Sequence, residues 1–197
     1  MRFILLDRIV AVQPGKQIEA IKNLTVAEEY LADHFPLFPV MPGVLMLEAM
    51  TQASAWLIRL TEDFAHSIVV LKEARNVKYA DFVRPGRTLV VTAEIISQSG
   101  ADTTLKTQGT VDGRVNVSAR LVLTKYNLAD TNPNAVGTDH HVRQKMRAIY
   151  KILQRDDTDT PPAPNAPAPN VIVPAAEGAG APRNGAAQGA QHATPAT

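Results

Sequence analysis

No cysteine occurs among the 197 residues. That absence excludes a disulfide framework, a thiolate nucleophile and a cysteine-ligated zinc site. Charge of one sign is also missing: 20 Lys and Arg stand against 19 Asp and Glu, a net +1, which gives no general argument for nucleic acid. No apolar run approaches the roughly 18 residues of a membrane span. The opening MRFILL run is broken by Asp7 and Arg8, short of the about 7–15 apolar residues of a secretory signal. No GxSxG, phosphate-loop or dinucleotide fingerprint and no internal repeat is found. These readings predict a soluble cytoplasmic protein. Its 45% hydrophobic content is enough for a real core.

Charge and composition are uneven along the chain. Residues 1–155 carry 19 basic against 15 acidic side chains, and residues 156–197 carry one against four. In the latter segment 24 of 42 residues are Ala, Pro or Gly. Such a stretch cannot bury enough surface to offset its ordering entropy, so 156–197 is predicted to be a disordered Ala/Pro tail. An inert tail is the simpler reading and a partner-recruiting segment the other. Residues 1–126 are predicted as the folded domain, and 127–155 as a linker and a basic amphipathic helix.

Thr25 and Glu28 have capping-box spacing, which predicts a short helix ending before Pro36. Residues 9–12 and 17–21 read as strands around Pro14-Gly15. Val44 to Leu60 contain no breaker and are apolar on almost every face, which predicts a helix buried nearly all round. Its 17 residues would span about 25 Å. Residues 67–71, 88–97, 102–111 and 114–125 read as strands, with Asp112-Gly113 as a hairpin turn. No helical pattern separates them, so the sheet is antiparallel. One long buried helix and an antiparallel meander predict the hotdog fold, an α+β arrangement with a curved sheet wrapped around the helix. One sheet cannot cover every face of that helix, so a second subunit is expected to close it.

Residues 140–155 carry an apolar stripe of Val142, Met146, Ile149 or Tyr150, and Leu153. Arg143, Lys145, Arg147, Lys151 and Arg155 are expected to face outward. A solvated surface helix is one reading; docking to an acidic partner or anionic lipid is the other.

Glu48 lies one turn into the apolar helix. A buried, unpaired carboxylate becomes neutral more readily, as a general acid requires. A structural carboxylate is the alternative. Thr51 and Gln52 continue a polar stripe from it. His34 stands in a proline-fixed segment and is the side chain suited to accept a proton near neutral pH, with Asp33 available to orient it. Gly43-Val44 at the helix start offers free N–H groups and the positive end of the dipole to a carbonyl oxygen. Base, acid and oxyanion donors suit proton abstraction beside a carbonyl with loss of a β-hydroxyl. His140-His141, adjacent in sequence, is a poor metal pair.

The stretch His34-Phe-Pro-Leu-Phe-Pro-Val-Met-Pro-Gly-Val-Leu-Met-Leu-Glu48-Ala-Met-Thr-Gln52 strongly resembles the (3R)-hydroxyacyl-acyl carrier protein dehydratases of the FabZ type. Leu5 to Ile9, Ile21 to Asn23 and Phe82 to Leu89 support the likeness, which spans about residues 1–125. The resemblance implies dehydration of 3-hydroxyacyl thioesters to trans-2-enoyl thioesters on acyl carrier protein in fatty-acid synthesis. It implies a homodimer, often a trimer of dimers, and no metal or organic cofactor. It assigns His34 as base and Glu48 as acid, contributed by different subunits. Gly43, with Val44 beside it, would bind the thioester carbonyl, and Gln52 would line the site. Leu37-Phe38 stands where the family has Gly and a polar or basic residue, which puts Phe38 near the tunnel mouth. Lys78, Arg84 and Arg87 are candidates for contacting the acidic carrier, with a solvated charged edge as the alternative. A non-catalytic acyl-binding or scaffolding hotdog protein and a hotdog thioesterase are the competing functions.

Overall fold

A computed structural model describes residues 3–154. The expected tail at 156–197 lies outside the described residues. Strands β1 (Arg8–Gln13) and β2 (Gln17–Asn23) form a hairpin. Helix α1 (Gly43–Thr61) follows, then β3 (Ile68–Tyr79), β4 (Thr88–Ser99), β5 (Asp102–Val111), β6 (Arg114–Tyr126) and helix α2 (Val136–Leu153). The six strands make one antiparallel sheet in the order β1-β2-β4-β5-β6-β3. Its inner face packs on α1, which touches β2 through β6. This is the hotdog arrangement expected from the helix-plus-meander pattern.

The core follows the periodicity. Ile18, Ala20, Leu89, Val91, Leu105, Leu121 and Leu123 point inward from alternate strand positions onto Met46, Met50, Ala53 and Leu57 of α1. Asp112 and Gly113 both have positive φ, 51° and 76°, as a two-residue hairpin requires. The β1–β2 turn is tied to the end of α1, where the Gly15 N–H donates to Thr61 Oγ1 at 2.8 Å.

Three expectations are corrected. Thr25 and Glu28 form no capping box: only a 3-10 turn, Glu29–Ala32, is present, and Glu28 instead accepts from the buried Lys22 Nζ at 2.5 Å. The third strand does not stop at Leu71 but runs to Tyr79 through two irregularities of register. Glu48 is not buried without a partner; it is half-buried and hydrogen-bonded.

Helix α2 packs the expected apolar stripe on its own domain, as a surface helix does. Ile149 and Leu153 are buried, and the Tyr150 ring lies 6.2 Å from Trp56 and 6.3 Å from Phe64. Two of the basic side chains expected to face solvent are anchors. Arg147 donates to Asp63 Oδ1 at 2.8 Å and stacks 4.5 Å over Phe64. Arg143 donates to Asn127 Oδ1 at 3.0 Å. Asp139, 1% exposed in the first turn of α2, accepts from the Leu128 and Ala129 N–H groups, both at 2.9 Å, and also from Ser67 Oγ. Burial works to raise its pKa, but these hydrogen bonds prevail and hold the carboxyl below its usual range. Among the described residues, no helix is long and apolar enough to cross a membrane.

Candidate active site

The segment before α1 is pinned by its backbone. The His34 N–H donates to Tyr30 O at 3.1 Å, and Phe35 and Phe38 exchange N–H···O bonds at 3.2 and 2.9 Å. The Val40 N–H returns to His34 O at 3.0 Å, and the Met41 N–H reaches Val83 O at 2.9 Å. His34 Nδ1 stands 3.0 Å from Val40 O. A carbonyl oxygen only accepts, so Nδ1 carries a hydrogen, and in the neutral ring the lone pair is on Nε2. The group that orients His34 is therefore the Val40 carbonyl; Asp33 is exposed.

His34 lines a cleft of about 440 Å³ with Phe35, Gly43, Met46, Tyr79 and Phe82. Gly43 opens α1 after Pro42, where the first N–H groups have no intrahelical acceptor. Its missing side chain is filled by the Tyr79 ring: a Cβ there would come within 3.0–3.3 Å of three ring atoms. Val44 is 68% exposed beside it. Phe38 packs edge-on against Phe82, with ring centroids 5.7 Å apart, and carries Arg84 4.9 Å above its own ring. It stands behind the cleft wall rather than on it. Tyr79 and Phe82 are the wall residues that sequence reasoning missed. The polar stretch around Tyr79 hid an aromatic ring lying on the helix start.

Glu48 lies elsewhere. With Thr51, Gln52, Ala55, Trp56 and Arg59 it lines a second cleft of about 350 Å³, which also takes in Phe3, Val70, Met146 and Ile149. Glu48 Oε1 accepts from Gln52 Nε2 at 2.8 Å. Gln52 in turn accepts from the Leu5 N–H at 3.0 Å and donates to Phe3 O at 3.1 Å. One amide thus ties the carboxylate to the N-terminal segment. In a single protomer, then, His34 and Gly43 share one cleft while Glu48 and Gln52 share another.

The candidate carrier-binding cations are dispersed. Arg87 pairs with Asp112 Oδ2 at 2.9 Å, Arg84 caps Phe38, and Lys78 lines a separate shallow groove with Lys106 and Arg120.

Known proteins resemble this chain in sequence and in fold. The FabA-like domain matches residues 1–120. A 3-hydroxyacyl-[acyl-carrier-protein] dehydratase FabZ of Caldicellulosiruptor bescii is 39% identical over 120 residues, 61% of this chain and 86% of that relative. The protein of the same name from Janthinobacterium sp. (strain Marseille) is 38% identical over 135 residues, 67% of this chain and 86% of the relative. Among solved structures, a dehydratase heterocomplex of Xenorhabdus doucetiae superposes with a TM-score of 0.53 at 18% identity, over 68% of this chain and 90% of that one. At that identity the likeness speaks for the fold alone. With the matched domain covering more than half the sequence and these dehydratases more than a third identical over most of their length, the chain belongs to the FabA-like domain family.

Proposed function

We propose that this protein is a hydro-lyase that dehydrates (3R)-hydroxyacyl-acyl carrier protein to the trans-2-enoyl thioester in fatty-acid synthesis. The observation that carries the reading is the presence of two half-sites in one protomer: His34, held through Nδ1 beside the start of α1, and Glu48, a hydrogen-bonded carboxyl within α1. Both lie inside the stretch shared with the FabZ dehydratases.

In this mechanism the thioester carbonyl sits at the helix start, where the Gly43 N–H and the helix dipole stabilise negative charge on its oxygen. His34 Nε2 removes a proton from the carbon next to the carbonyl. The C–H electron pair becomes the new C=C bond and the C–O bond to the hydroxyl breaks. A protonated Glu48 gives its proton to the departing oxygen, so water leaves. Transfer of the proton held on His34 back to Glu48 restores both groups. Val44 and Gln52 would flank the substrate and Phe38 would back the cleft mouth. Lys78, Arg84 and Arg87 would be the cations offered to the acidic carrier protein.

The reading requires two copies. Because the half-sites of one protomer line different clefts, the reacting pair is His34 of one protomer and Glu48 of its partner. The partner would dock on β3, a free sheet edge twelve residues long whose Val70 and Leu71 are exposed beside the Glu48 cleft. A homodimer is the smallest unit this allows, and three such dimers can associate further.

The test is enoyl formation from a 3-hydroxyacyl-carrier substrate by the full chain and by Glu48→Gln and His34→Ala. We expect turnover in the wild type and a loss of at least about a hundredfold in each variant. Full activity in either variant would remove that residue from the reaction. Release of free thiol without enoyl product would point to a thioesterase, and binding without turnover to an acyl-binding protein.

A further inference from the structure

The cleft that holds Glu48 has a wall outside the matched domain. That domain ends at residue 120, whereas Met146 and Ile149 of α2 line the same cleft as Glu48 and Gln52. Along α1 the cleft runs from Glu48 past Ala55 to Arg59, eleven residues, or about 16 Å of helix. Its lining changes on the way. Glu48, Thr51 and Gln52 give it polar groups at one end of the helix run, and Ala55, Trp56, Met146 and Ile149 give it apolar ones further along, with Val69 to Leu71 of β3 beside them. At the far end sits Arg59, whose pKa burial pushes down to about 10 and whose buried Nε has no hydrogen-bond partner among the described residues. A hydrocarbon chain entering from Glu48 would therefore meet apolar surface and then a charged stop.

The α2 wall is held firmly. Tyr150 packs on Trp56 and Phe64, Arg147 holds Asp63, and the buried Asp139 fastens the first turn of α2 to Ser67 and the 128–129 backbone. A wall fixed at several points cannot retreat before a longer ligand without breaking those contacts.

We propose that α2 is the far wall of the acyl-chain channel, and that Met146 and Ile149 set the longest acyl chain the enzyme accepts. The occupant is the hydrocarbon tail of the substrate, because the proposed catalytic carboxyl and the apolar side chains of α2 line one and the same cleft; this rests on the dehydratase reading above. A helix added after the catalytic domain then acts as a chain-length ruler.

Trp56 is the only tryptophan in the chain and lines this cleft, so its emission reports occupancy. The full chain is titrated with dodecanoyl-coenzyme A and with butanoyl-coenzyme A. The long thioester should change Trp56 emission and the short one should not. In parallel, kcat/KM is compared for 3-hydroxydodecanoyl- and 3-hydroxybutanoyl-carrier substrates. Met146→Phe should lower the long-to-short ratio about tenfold, the scale of one badly fitted group in an apolar pocket. Ile149→Ala, which opens the wall, should raise the ratio. An unchanged emission with the long thioester, or an unchanged ratio in both folded variants, overturns the proposal. Failure of the dehydratase reading would look different: neither substrate turned over, with Trp56 still answering to the long thioester.

Discussion

Replacing Gln52 by Met keeps the bulk of the side chain and removes its three hydrogen bonds. The Leu5 N–H, on a residue only 4% exposed, loses its acceptor at 3.0 Å. An unpaired donor in such a place costs about 1–3 kcal/mol. The bond to Phe3 O is exposed, and water replaces it at little cost. The bond to the half-buried Glu48 carboxyl contributes about 1 kcal/mol. Gln52→Met should therefore destabilise the protein by about 2–3 kcal/mol. For a fold of this size that is a fall in Tm of roughly 4–12 °C. Protein concentration must be matched, because an oligomer's Tm depends on it. The effect on catalysis is separate. Glu48 loses the group that aims it, and a positioning loss of about 1.4 kcal/mol lowers kcat about tenfold with KM nearly unchanged. Thermal unfolding and steady-state kinetics on the same preparation check both. A Tm within about 1 °C of wild type together with an unchanged kcat would refute the view that Gln52 ties Glu48 to the N-terminal segment.

Gly43→Ala should lower activity more than stability. The new Cβ presses on Tyr79, a half-exposed ring that can yield, so the folding cost stays below about 1.5 kcal/mol while the helix-start N–H is crowded. Adding Tyr79→Ala should recover part of kcat, and a purely additive double variant would show that the two positions are not coupled. For Asp139, a folded pKa below its unfolded value means that its contribution is present at neutral pH and lost as pH falls below about 4. Acid titration of Tm should accordingly show wild type losing more stability below that pH than Asp139→Asn, and parallel curves would contradict it.

Much of this was legible in the sequence, for identifiable reasons. The α1 run is apolar because five strands cover it, and Asp112-Gly113 reads as a hairpin because both positions need positive φ. The rest of β3 was hidden because it is a sheet edge. Lys72, Glu73, Arg75 and Asn76 face solvent, Asn76 has a φ of 52°, and two register shifts break the alternation. Thr25 and Glu28 misled because spacing alone does not say that Lys22 will claim the carboxylate. The roles of Arg143, Arg147 and Asp139 depend on Asn127, Asp63 and Ser67, partners distant in sequence. In the candidate site, His34, Gly43, Glu48 and Gln52 are named as candidates by the stretch that resembles the FabZ dehydratases. That one protomer puts them in two clefts follows from the folded path of the segment before α1, which carries His34, and from the face of α1 that Glu48 and Gln52 share.

The division of His34 and Glu48 between two copies is tested most directly by mixing inactive variants. His34→Ala and Glu48→Gln proteins are unfolded together, refolded and assayed for dehydration. If each site combines His34 of one protomer with Glu48 of its partner, half of the re-formed dimers are mixed and each has one intact site of two. About one quarter of wild-type activity should then return. No recovery, in a preparation shown to contain mixed dimers, would contradict the shared site.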